Sequence, residues 1–204
     1  RPRRLLGGYY TLLTDGPFMA YTLIMSLVLG GLFAIIATFP FIFIERMGIP
    51  TEHYGYYYAF VVLAFFFGSL AVNRVADRFT SDQMLVAGLA LGVLGQLALV
   101  AIVAFGWEDP IAMIATQCFF AFGLGLIFAT APVRAFDVCR AGHGYAAAML
   151  GALPMAGGGL STFCVVLTHN GTAWPITIIL LTNNTIACAL YLLVKPWRVR
   201  PIGA

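Results

Sequence analysis

From Phe18 to Ile44 the chain carries no charged side chain. At about 1.5 Å of rise per residue, a helix of that run is longer than a bilayer's hydrocarbon core needs, so it must tilt or protrude. Pro40 is placed to bend its far end. Five further apolar runs follow, separated by short connections that hold turn residues and, in all but the last, charges. Without water to satisfy backbone groups, only helices or closed barrels span a bilayer, and runs of this length are helical. The expected spans are 17–44, 55–72, 84–105, 111–132, 144–168 and 175–194. They are flanked by an interfacial linker over 1–16 and a tail over 195–204. The fold class is therefore an all-α integral membrane bundle of six helices.

Composition excludes the other broad classes. Hydrophobic residues make up 61% of the chain and charged residues 9%, against roughly 25% charged in a soluble domain. The net charge of +3 is no nucleic-acid patch, because the basic residues sit in short clusters between apolar runs. Cys118, Cys139, Cys164 and Cys188 are scattered without CxxC spacing, which argues against a metal site or a disulfide framework. No motif calls for a cofactor. The start has no cleavable signal, and a first residue that is Arg, not Met, suggests the trimmed or truncated end of a longer polypeptide.

The charges orient the bundle. Ten of the eleven Lys and Arg residues fall in alternate connections: the N-terminal piece, the loop at Arg74, the loop at Arg134 and the C-terminus. Only Arg46 lies opposite. By the positive-inside rule both ends are cytoplasmic and the span number is even.

Helix packing is written in the small residues. Gly144, Ala148, Ala152 and Ala156 recur every four positions and run into Gly157, Gly158 and Gly159. They predict a face with almost no side chain, against which a neighbouring helix packs closely. Gly151, Ala152, Pro154 and Gly158 are the candidate packing or hinge positions, with Pro154 removing a backbone hydrogen bond. In the third span Gly88, Gly92 and Gly95 predict a similar interface, and Gln96 beside them an interhelical hydrogen bond. The sixth span has no glycine and is expected to face lipid. The cluster Tyr54, Tyr56, Tyr57 and Tyr58 reads as an interfacial aromatic belt.

These residues resemble a known family. The chain is similar to the C-terminal six-helix half of a major facilitator superfamily transporter, of the bicyclomycin and chloramphenicol resistance type of drug:proton antiporter. The resemblance rests on Tyr10-x-x-Leu13, on Phe39-Pro40-Phe41 with Gly48 and Tyr54-Gly55, and on the loop motif Gly68, Arg74, Asp77 and Arg78. It rests also on Gly125, Pro132, Gly142 or Gly144, Ala146 to Ala148 and Gly151. It implies a bacterial inner-membrane protein, and an N-terminal six-helix half of the same polypeptide rocking against this one about a midplane site. Its first, second, fourth and fifth helices would then line a cavity, with the third and sixth outside. Tyr21, Tyr57, Phe65, Gln117, Phe120, Met149 and Met155 are the candidate cavity residues, since aromatic and Met side chains suit variable apolar substrates. The implied partners are the bilayer, a small-molecule substrate and protons.

Two other classes are weighed against transport. An intramembrane enzyme needs a nucleophile with a base in reach, but Ser69 and Ser161 sit in spans while His53, His143 and His169 lie in loops or at ends. A channel or scaffold subunit asks for packing alone, and no ring of acids or filter-like motif supports a channel.

Overall fold

The computed structural model describes residues 2–107, 109–140, 142–168 and 170–194, the side chains of 2–6 and 194 excepted. Glu108, His169 and the tail over 195–204 lie outside that description. Among the described residues there is no strand. A short helix α1 (Pro2–Leu13) leads into α2 (Gly16–Pro40), which passes at Pro40 into a π-helical turn over Phe41–Arg46. Then come α3 (Thr51–Val75), α4 (Ser81–Ala104), α5 (Pro110–Asp137), α6 (His143–Thr168) and α7 (Trp174–Val194). Helices α2 to α7 are each long and apolar enough to cross a membrane.

Local chemistry sets the helix boundaries. At α4 a reciprocal capping box forms: Gln83 N–H donates to Thr80 Oγ1 at 3.3 Å, and Thr80 N–H donates to Gln83 Oε1 at 2.9 Å. Asp109 caps α5 by accepting from Ala112 N–H at 2.8 Å, with Pro110 in the first turn. The turns before α3 and α5 use Gly48 and Gly106 at φ of 69° and 66°, a region that disfavours any Cβ. Two helices run furthest beyond the expected spans. Helix α3 starts at Thr51, and α5 continues through Pro132 to Asp137.

Helices α2 and α5 form the centre. Helix α3 leans on α5 and α6 on α2, while α4 packs on α5, α7 packs on α2, and α4 and α7 touch each other. Glycine makes the close approaches possible. Gly68 of α3 abuts the backbone of Phe122, and Gly125 of α5 abuts that of Phe65 and Ser69. Gly88 meets the Gly123 carbonyl and Gly95 the Thr116 carbonyl, so the third-span glycines do form a close interface, with α5 as the partner.

The expectation that the glycine-free helix faces lipid needs correction. One side of α7 is exposed through Ile178, Ile186 and Leu192, but Ile176, Leu180, Asn184 and Ala187 are buried. The glycines that admit α7 belong to its neighbours. Leu180 lies against Gly31 of α2, and Asn184 against Gly92 of α4.

Candidate functional site

The end of the bundle where α2, α4 and α6 begin holds its charged network. Arg134, in the last turn of α5, donates from Nε to Asp82 Oδ1 at 2.8 Å and from a terminal nitrogen to Asp137 Oδ2 at 3.1 Å. The side chains of Arg134 and Asp82 are 15% and 21% exposed. Helix polarity explains the pairing: a cation at the C-terminal end of α5 and an acid in the first turn of α4 each complement their own helix dipole. Being antiparallel, the two ends lie side by side. Tyr21 of α2 and Tyr191 of α7 lie within electrostatic reach of the cluster, so four helices converge on it.

A second contact ties the start of α2 to the connection after α5. Asp15, whose side chain is 2% exposed, has Arg140 Nε 3.9 Å from its Oδ2. Neither carboxylate oxygen accepts a hydrogen bond among the described residues. A buried carboxylate held by one exposed cation at that range gains little from the pair. The arrangement suits a contact that can be released.

Deeper in the bundle the polar groups are neutral. Gln96 of α4 donates from Nε2 to Gln117 Oε1 of α5 at 3.4 Å, the interhelical bond expected for Gln96. Gln117 in turn donates to Thr116 Oγ1 at 3.1 Å. Asn184 donates to the Leu180 carbonyl at 3.0 Å. Amides at such positions join helices but do not take up or release a proton near neutral pH.

The seven candidate cavity residues separate. Tyr21, Gln117, Phe120 and Met149 are buried inside the bundle, Phe120 against Gly31, so they present no surface to an open face. Tyr57 and Phe65 are half-buried, packed edge-on against Phe43 and Phe128 respectively. Met155 is exposed. Of the loop motif, Gly68 is a buried packing position within α3, while Arg74, Asp77 and Arg78 are exposed at its end and in the turn after it.

The small-residue face of α6 meets no helix among the described residues. Gly144, Ala148, Gly151, Ala152, Ala156 and Gly159 are exposed, and a methyl group added at Gly144, Gly151 or Gly159 would touch nothing. The packed side is the adjacent one: Leu150, Pro154, Gly157 and Gly158 lie toward α2, with Gly158 against Phe33 and Gly157 against Ser26. Helix α3 is the other open surface, exposing Tyr56, Phe60, Phe66 and Phe67.

Six of the residues in these charged clusters, Asp15, Asp82, Arg134, Asp137, Arg140 and Tyr191, are absent from the sequence-derived site candidates. For Asp82 a signal was present. Thr80-x-x-Gln83 is a capping box, and it places Asp82 in a first turn where an acid is favoured.

No family model matches the chain. It is 23% identical over 85% of its length to a chloramphenicol resistance protein of Pseudomonas aeruginosa. To a bicyclomycin resistance protein homolog of Haemophilus influenzae it is 26% identical over 77% of its length. An uncharacterized MFS-type transporter, YdgK, of Bacillus subtilis is 24% identical over 86%. The chain covers 42%, 39% and 43% of these relatives. Six apolar helices define an integral membrane protein, and its sequence is similar to those of drug-resistance and MFS-type transporters.

Proposed function

We propose that the chain is the C-terminal half of a proton-coupled antiporter that exports drugs or other small amphipathic molecules by alternating access. The observation that carries this reading is the unpartnered close-packing face of α6, in a chain covering about two fifths of its relatives. A surface without side chains suits another helix, and none of the described residues supplies one there. An N-terminal six-helix half would supply it, resting on the open faces of α3 and α6. The Arg134 cluster and the Asp15 to Arg140 contact then lie on the cytoplasmic side. Their making and breaking would accompany the rocking of one half on the other.

Coupling must come from the other half. Among the described residues every Asp and Glu lies at a helix end or in a connection, and the polar groups buried deeper are amides and hydroxyls. Charged side chains within the membrane are the usual proton carriers, and none of the described ones lies in mid-span. Reconstituted with an imposed pH gradient, the full polypeptide should drive efflux of cationic and neutral drugs and the 204 residues alone should not. Gradient-driven efflux by the fragment would overturn the half-transporter reading. Orientation is tested separately: a cysteine replacing Glu52 should be labelled in intact cells from outside, and one replacing Asp77 only from the cytoplasm. Labelling of the Glu52 position from the cytoplasm alone would reverse the topology.

A further inference from the structure

Between α2, α6 and α7 lies a cavity of 320 Å³ lined by Leu27, Ser26, Ser161, Cys164, Ile179 and Asn183. Leu160 and Leu23, also in its lining, are exposed at 64% and 39% and mark where it opens. Around α6, Leu160 and Cys164 stand about 100° or more from Met155 and Gly159, while Leu160 stands about 40° from Ala156. The cavity therefore borders the open face that the other half would cover. Its depth follows from α7: Asn183 lies near the middle of Trp174–Val194, about 14 to 16 Å from either end. The opening thus meets the hydrocarbon region.

Polar groups there are costly unless paired, and these are only half paired. Asn183 Nδ2 donates to Ser161 Oγ at 3.0 Å. That bond leaves the amide oxygen accessible and without a hydrogen-bond partner among the described residues. A second amide N–H and the Ser161 hydroxyl proton also remain to be donated. A purely structural interhelical bond would draw α6 and α7 together, yet those helices touch little and the space stays open. One groove between α3, α4 and α5 differs: it is lined by Ala64, Leu91, Cys118, Phe119 and Phe122, with no amide or hydroxyl.

We propose that this slot binds an uncharged, membrane-dissolved amphiphile with an amide head and an apolar body. Asn183 Oδ1 accepts from the head's N–H, and the Ser161 hydroxyl donates to its carbonyl. Leu23, Leu27, Leu160 and Ile179 cover the tail. No charged residue lines the slot, so a charged head would enter without a counter-ion and is excluded. The site is entered from the lipid and is independent of the transport reading, since binding is measured without transport.

The test uses the full chain in phosphatidylcholine nanodiscs and a decanamide carrying a mid-chain diazirine. After photolysis, adducts mapped by mass spectrometry should concentrate on Leu160, Cys164 and Ile179 over the exposed Leu94 and Leu192. Unlabelled decanamide should suppress them about fivefold once the site is mostly occupied, and decane should not. Ser161→Ala and Asn183→Leu should each abolish that enrichment. Ser161→Ala removes one oxygen and keeps the test valid if the larger change unfolds the protein. Adducts spread evenly over lipid-facing residues, competition by decane, or enrichment that survives Ser161→Ala would each overturn the proposal.

Discussion

Helices α3 and α6 occupy matching places, each leaning on a central helix through glycine, yet the surfaces they leave open are opposites. Helix α3 meets α5 through Gly68 and turns Tyr56, Phe60, Phe66 and Phe67 outward. Helix α6 meets α2 through Gly157 and Gly158 and turns outward Gly144, Ala148, Gly151, Ala152 and Gly159. In α3 Gly68 marks the packed side, and Gly55 near its start touches nothing. In α6 small residues lie on both sides, one occupied and one vacant. A glycine therefore reports that close approach is possible at its position, and only the neighbouring helix decides whether it happens.

The largest effect expected from this contrast is at Gly68. A side chain there would be driven into the Phe122 backbone, which cannot rotate away as a flexible side chain can. Gly68→Leu should cost about 3 kcal/mol or more, the upper end of overpacking, and much of the protein should fail to fold. Thermal unfolding in detergent measures it. A near-normal melting temperature would show that α3 is free to move off α5.

Next comes Leu180→Ala. Leu180 is fully buried against Gly31 and should cost about 2 to 5 kcal/mol when truncated. Were α7 a lipid-facing helix, the same change would be nearly silent. The two readings of α7 thus differ by an amount that one melting curve resolves.

Much of the fold was legible because apolar length and turn residues act locally. Six charge-free runs gave six membrane helices, and Gly88, Gly92 and Gly95 lay at a close interface as their spacing required. What failed depended on partners distant in sequence. Leu180 looked peripheral because α7 lacks glycine, but the glycines it needs are Gly31 and Gly92. Asp82 and Arg134 are 52 positions apart, in connections beside different spans. Their pairing follows from which helix ends the fold brings together. Tyr21, Gln117 and Phe120 were chosen by residue type, and type does not distinguish the inside of a bundle from the wall of a cavity.

The smallest expected effect on stability is the most informative about function. Ala152 is exposed on the vacant side of α6, one residue from Gly151, where an added methyl group meets nothing. Ala152→Leu should therefore change the stability of the six-helix bundle by no more than about 0.5 kcal/mol, as surface substitutions do. If a second half closes on that face during transport, the added side chain must be forced between two backbones, at about 1 to 3 kcal/mol in the closed state alone. A penalty of that size disfavours one conformation by roughly fivefold to more than a hundredfold. Efflux by the full polypeptide should fall accordingly while the fragment melts as before. Phe66→Ala, which shortens a side chain on the bulky open face of α3, creates no such clash and should leave the rocking motion free. Measured together in the full polypeptide and the fragment, the two variants separate the faces. If Ala152→Leu lowers the fragment's melting temperature as much as it lowers efflux, the vacant face is packed within this chain. If it lowers neither, no helix closes on that face at any stage of transport.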